Sequence, residues 1–255
     1  RKALRTAATV IISVLAVILP FVTVFFVGIC TPPQYADTYY GELYDMYARL
    51  KHTEGKKVVI VGNSNVAFGV DSALMEELLR EGGLDYTVCN FGLYGAIGTR
   101  AMLDLSRGQI GEGDIVIFVP EISEQLLSQY FSAEEMWYAL DSGMDMFMDF
   151  DNDVRGMLVG GFFGYTAKKY AQWRSGEPAK PSGIYAHASF DGRCDLKNYE
   201  RPYNIMPGGA DANNPIALQT SVFGSDFIDY VNGYCADIAA RGAEMYYSFP
   251  PMNRE

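Results

Sequence analysis

The longest apolar run lies near the start of the chain. No charged residue occurs between Thr6 and Cys30. As a helix, Ala7 to Ile29 would extend about 35 Å at roughly 1.5 Å per residue, against a hydrocarbon core about 30 Å thick. Pro20 would kink such a helix, which membrane segments tolerate. The run is too long for the apolar part of a cleaved signal peptide, and no Ala-x-Ala site follows it. Its basic flank, Arg1, Lys2 and Arg5, is on the N-terminal side only. The positive-inside rule therefore predicts a single-pass anchor with its N-terminus in the cytoplasm and everything after Cys30 outside.

Past Cys30 the pattern changes. Thr31-Pro32-Pro33 ends the helix, because proline cannot continue the backbone ladder, and a short stalk is expected. From Asp37 to Lys51, Leu43, Met46 and Leu50 recur at helical spacing and predict an amphipathic helix. Lys57-Val58-Val59-Ile60-Val61 is a β-branched run without polar alternation, as expected of a parallel strand covered on both faces. It ends at Gly62-Asn63-Ser64. Asp71 or Ser72 can cap a helix carrying Leu74, Met75, Leu78 and Leu79, which Gly82-Gly83 would stop. A second strand is expected from Tyr86 to Asn90, a helix from about Ala96 to Arg107, and a third strand at Ile115 to Val119. Ser132-Ala133-Glu134-Glu135 matches a capping box, with Phe131 and Met136 placed as a hydrophobic staple. Met144, Met146, Phe147, Met148 and Phe150 read as core or membrane-proximal packing. Residues 174 to 220, rich in Gly, Pro, Asn and Asp, read as a long surface excursion. A helix near Asp226 to Arg241 and a strand from Ala243 to Phe249 follow. Strands alternating with helices predict a doubly wound α/β sheet. The chain thus divides into a stub and membrane helix (1–30), a stalk with an amphipathic helix (31–55), and an α/β domain (56–255) with an irregular insertion around 131–220.

Composition narrows the function classes. With 49% hydrophobic and 20% charged residues in 255, one sizeable core is affordable. A net charge of -11 argues against a nucleic-acid partner, since affinity for phosphate backbones comes mainly from Lys and Arg. Cys30, Cys89, Cys194 and Cys235 form no C-x-x-C pair, so neither a zinc cage nor a disulfide framework is expected. No P-loop or G-x-G-x-x-G is present, Gly92, Gly95 and Gly98 being spaced differently. No cofactor is called for.

Candidate chemistry gathers where the strands end, because ligands of open α/β sheets bind beyond the carboxyl ends of the strands. Ser64, in a tight turn after the first strand among Asn63 and Asn65, has the layout of an activated nucleophile near backbone amides. The same residue would also serve a turn that it merely hydrogen-bonds. Asn90 and Gly95 follow the second strand, and Glu121 follows the third. Gly62-Asn63-Ser64-Asn65-Val66 lacks the second glycine of the G-x-S-x-G elbow, which disfavours an ordinary α/β-hydrolase. A generic phosphate cradle at either glycine turn stays open.

Val59-Ile60-Val61-Gly62-Asn63-Ser64-Asn65, Asn90-Phe91-Gly92-Leu93-Tyr94-Gly95 and Gly113-Asp114 resemble the successive blocks of the SGNH (GDSL-like) hydrolase family. The resemblance covers roughly residues 56 to 124, and more loosely the strand ending in Ser248-Phe249-Pro250-Pro251. It implies a flavodoxin-like three-layer α/β/α sandwich, and an esterase, deacetylase or acyltransferase activity. It matches Ser64 to the nucleophile and Gly95 to the backbone oxyanion donor, while Asn63, Asn65, Asn90 and Glu121, at the same strand ends, are candidate binding residues. Where the family places an amide-donating asparagine after the third strand, this chain reads Val119-Pro120-Glu121. An ionised carboxylate cannot donate, so Glu121 is expected to face away or to be protonated, or Asn63 or Gln125 to take the role. The family's base lies in a late Asp-x-x-His block, which the resemblance places past Glu255, as if the C-terminal part were missing. His52, at the opposite end of the first strand, and His187, with no Asp three residues earlier, do not fit that block. The resemblance implies a membrane-anchored enzyme acting on acyl esters of a cell-surface polysaccharide, with a membrane-bound O-acyltransferase as possible partner. The alternative is an anchored, non-catalytic glycan-binding or scaffold protein.

Overall fold

In the computed structural model, which describes residues 2–121, 126–127, 130–183, 185–197 and 223–250, four parallel strands form one sheet. They are β1 (Lys57–Gly62), β2 (Thr87–Gly92), β3 (Ile115–Val119) and β4 (Glu244–Tyr247), in the order β2-β1-β3-β4. The α/β class, the parallel sheet and the strand positions agree with the sequence pattern. Side chains alternate between two cores, as the period of two requires. Val59, Val61, Cys89, Phe91, Val116 and Phe118 enter the larger core, while Val58, Ile60 and Val88 enter a smaller one. The N-terminal ends of β1 and β3 are tied by Asp114, which accepts from Lys57 N at 2.8 Å and Gly111 N at 2.8 Å and pairs with Lys57 Nζ at 3.0 Å.

Helix α2 (Glu42–His52) precedes β1, and α3 (Ser64–Gly69), α4 (Ser72–Glu81), α5 (Thr99–Arg107), α6 (Ala133–Leu140) and α8 (Ser225–Ala239) lie between successive strands. Asp71 caps α4 by accepting from Leu74 N at 2.9 Å, and Ser132 caps α6 by accepting from Glu135 N at 3.3 Å. The apolar stripe of α4 is only half used. Met75 and Leu79 pack on the smaller core, whereas Leu74 and Leu78 are exposed. A polar residue is buried instead: Glu76 accepts from Val88 N at 3.0 Å and pairs with Arg193.

Helix α1 (Lys2–Cys30) is the long apolar helix expected at the N-terminus. Two other expectations near it need correction. The segment after Cys30 is not a free stalk, since Thr31, Gln34, Tyr35, Thr38 and Tyr39 are buried. The part of the insertion between 131 and 175 is not irregular either. It contains α6 and the 24-residue helix α7 (Asn152–Ser175), capped by Asp151 through Asp153 N at 3.0 Å and Val154 N at 2.9 Å. Helix α7 escapes a periodicity search because it has apolar contacts on two sides. Leu158, Phe162 and Tyr165 are buried, while Val159 and Phe163 face outward and Phe163 meets Phe21 of α1. Met146 and Phe150 belong to the core, and Phe147 packs against Trp137. Residues 184 and 198–220 of the expected surface excursion lie outside the described residues.

Candidate functional site

The turn after β1 is shaped by two glycines and a valine. Gly62 pairs with Gly92 on one side and Val119 on the other. A Cβ on Gly62 would meet Val66 Cγ2 at 2.3 Å and Val119 O at 2.6 Å; one on Gly92 would meet Val66 Cβ at 2.4 Å. Val66 therefore wedges between the ends of β1 and β2, and α3 sits directly on the sheet edge. Ser64 is the first residue of that helix. Asn65 pins the turn from the other side, its Nδ2 donating to Val119 O at 3.0 Å while its Oδ1 accepts from Asn63 N at 3.1 Å.

Because β2 lies on one side of β1 and β3 on the other, the loops leaving β1 and β3 diverge and open a crevice at the carboxyl edge. Ser64, Tyr94, Gly95, Glu121, Tyr130 and Glu135 line this cleft of about 440 Å³. Three candidates from distant parts of the sequence, Ser64, Gly95 and Glu121, thus share one wall system. Burial pushes the Glu121 carboxyl above its ordinary range, which favours the neutral acid. A neutral carboxyl donates a hydrogen bond where a carboxylate cannot.

The other candidates go elsewhere. Asn65 is a positioning residue, as above. Asn63 is buried, and its Oδ1 has no hydrogen-bond partner. Asn90 Nδ2 donates to Asp195 Oδ1 at 3.1 Å and Cys194 O at 3.3 Å, and Asp195 in turn accepts from Ser72 N at 2.7 Å and Ser72 Oγ at 2.9 Å. That network joins β2, α4 and the segment around Cys194; it does not line the Ser64 cleft. Gln125 lies outside the described residues.

Three residues at or beside the site had no functional signal in the sequence. Glu135 was visible only as part of a cap, yet it borders the cleft and accepts from Tyr40 OH at 2.6 Å. Tyr130 holds a left-handed backbone, φ 59°, beside Gly95. Tyr40 faces Tyr94, which also lines a second cleft of about 470 Å³ with Tyr39, Tyr185, Lys180 and Ser182. Tyr94 is thus the partition between the two clefts.

Neither histidine borders the Ser64 cleft. His52, at the end of α2, places Nδ1 2.8 Å from Ala48 O. His187 Nε2 lies 2.6 Å from Asp45 Oδ2 and 3.5 Å from Glu42 Oε2. These three ligand atoms lie within 4.8 Å of one another, a spacing that would admit a cation. The imidazole–carboxylate hydrogen bond already accounts for their approach, and it clasps the segment around His187 onto α2. All four cysteines are free thiols, Cys89 and Cys194 buried, Cys30 exposed and Cys235 between.

No family model, no curated protein and no solved structure matches this chain.

Proposed function

We propose that the protein is a membrane-anchored SGNH-like ester hydrolase or O-acyltransferase acting on acyl groups of an extracellular cell-envelope polysaccharide. The observation that carries this reading is the convergence of Ser64, Gly95 and Glu121 on one cleft at the carboxyl edge of a parallel sheet. The strand order β2-β1-β3-β4 also supports a flavodoxin-like layering. The tyrosine-lined cleft beyond Tyr94 supports a glycan as the group carrying the ester, because tyrosine offers an apolar ring face together with a hydroxyl. An outward domain on a single anchor suits a partner of membrane-bound O-acyltransferases, by analogy of fold.

In this reading Ser64 Oγ attacks the acyl carbonyl carbon, and the carbonyl electron pair moves to the oxygen, where the Gly95 amide donates to it and Glu121 can add a second donor only when its carboxyl carries a proton. Collapse breaks the bond to the sugar oxygen, which leaves with a proton, and acyl-Ser64 remains. Water or a second hydroxyl then takes the acyl group. The resemblance assigns the proton acceptor for Ser64 to an Asp-x-x-His block, which neither His52 nor His187 supplies. The position of both histidines away from Ser64 favours a second reading, an inactive SGNH-like glycan-binding or scaffold protein.

The test compares this chain with one carrying whatever residues its gene encodes after Glu255, each with Ser64→Ala. Fluorophosphonate labelling of Ser64 and p-nitrophenyl acetate turnover, both lost in Ser64→Ala, would establish the enzyme. Polysaccharide binding without labelling in either chain would establish the binding protein.

A further inference from the structure

Helices α1 and α7 close on each other at Gly28, which leaves no room for a Cβ against Thr166 and Phe162, and meet through aromatic side chains below it. Phe21 meets Phe163 edge-on with ring centroids 5.5 Å apart, and Phe25 meets Phe162 at 5.8 Å. Beside that seam the two helices border a slot of about 530 Å³. Phe21 and Phe25 form one wall, Val159 and Phe163 the other, and Trp137 and Phe147 the floor. Phe21 precedes Cys30 by nine residues, which is about 13 Å along a helix at roughly 1.5 Å per residue. With α1 across a bilayer about 30 Å thick in its hydrocarbon part, that wall lies well below the interface.

The facing helix suits the same depth. From Gly156 to Ala167, α7 carries no charge, and Arg155 and Lys168 bound that stretch. Val159 and Phe163, one turn apart, are 58% and 42% exposed, and Phe163 joins this apolar strip to Phe21 on the exposed face of α1. Because the segment after Cys30 is buried in the domain, no linker lifts α7 away from the membrane. An apolar slot open to hydrocarbon fills, since its lining otherwise loses dispersion contacts along its whole length.

We propose that the slot between α1 and α7 binds a fatty acyl chain of the bilayer lipid surrounding α1, so that α7 enters the membrane beside it. The proposal rests on α1 spanning the bilayer and is independent of what Ser64 does.

The chain contains two tryptophans, Trp137 and Trp173, so Trp173→Phe leaves Trp137 as the sole emitter. Trp137 is 6% exposed and donates to Leu158 O at 2.7 Å, so the slot is its route to lipid. The full chain is placed in phosphatidylcholine nanodiscs with and without bromine on the acyl chains. The expected result is loss of Trp137 emission in brominated lipid, little quenching by aqueous iodide, and recovery of emission when Val22→Phe and Val159→Phe fill the slot. Emission indifferent to brominated lipid overturns the proposal: with iodide quenching the slot holds water, and without it protein covers the slot. Quenching that the filled variant does not relieve also overturns it, because lipid then reaches Trp137 by another path.

Discussion

Asp141 and Lys169 form a buried ion pair, Oδ1 to Nζ 2.7 Å, where α1 passes into the domain. Asp141 also accepts from Tyr165 OH at 2.6 Å, Gln34 N at 2.5 Å and Tyr35 N at 3.1 Å, and Lys169 donates to Gly28 O at 3.1 Å. The pair thus joins α1, the segment after it, the end of α6, and α7.

Removing one partner of such a pair strands the other charge, and a loss of about 3–5 kcal/mol is the usual consequence. Lys169→Met should therefore lower stability by that order in chemical denaturation in micelles. Adding Asp141→Asn should recover part of the loss, because the stranded carboxylate is gone. Equal stability of the single and double variants would mean that the pair is not the fastening it looks like.

Gly92→Ala forces a Cβ to within 2.4 Å of Val66 Cβ and 2.8 Å of Asn63 O. Overpacking of this kind costs about 1–3 kcal/mol. Since α3 carries Ser64, its displacement should abolish fluorophosphonate labelling in a protein whose circular dichroism is still native. This comparison is made in whichever chain labels. Undiminished labelling would separate the wedge from the site.

Burial raises the Glu42 carboxyl from 4.5 to about 8, with Asp45 and Asp191 adding to the effect and the Cys194 thiol and Lys197 opposing it. The folded state then holds a proton that the unfolded state releases. The stabilisation is complete below pH 4.5 and is lost as pH rises through about 8. Stability should decline across that window by on the order of 1 kcal/mol per pH unit from this group. Denaturation curves through the window should lose that slope in Glu42→Gln; an unchanged slope assigns it to other groups.

The basic flank of α1 leads to the expectation that protease added to intact cells shaves off the domain. Digestion that requires lysis would reverse the orientation and remove any extracellular substrate.

The sheet was legible because β1 and β3 are short β-branched runs bounded by glycine, and buried strands have few other sequence forms. The caps at Asp71 and Ser132 were legible for a similar reason, since each depends on one side chain and a fixed offset. Helix α7 was not, because contacts with α6 and α1 on different sides leave no single polar face to mark its period. Of the site, Ser64, Gly95 and Glu121 could be read from the strand ends. Glu135 and Tyr130 reach the cleft only through tertiary packing, and Asn90, though next to Gly92, turns its amide toward Asp195.

The burial of Thr31, Gln34 and Tyr35 against the domain governs how this protein searches for what it meets. A domain on a loose leash samples a hemisphere of space above its anchor. With α1 across a bilayer, one fastened at the helix exit would keep a fixed height and turn only as the anchor turns, so its encounters would be confined to the plane in which the anchor drifts.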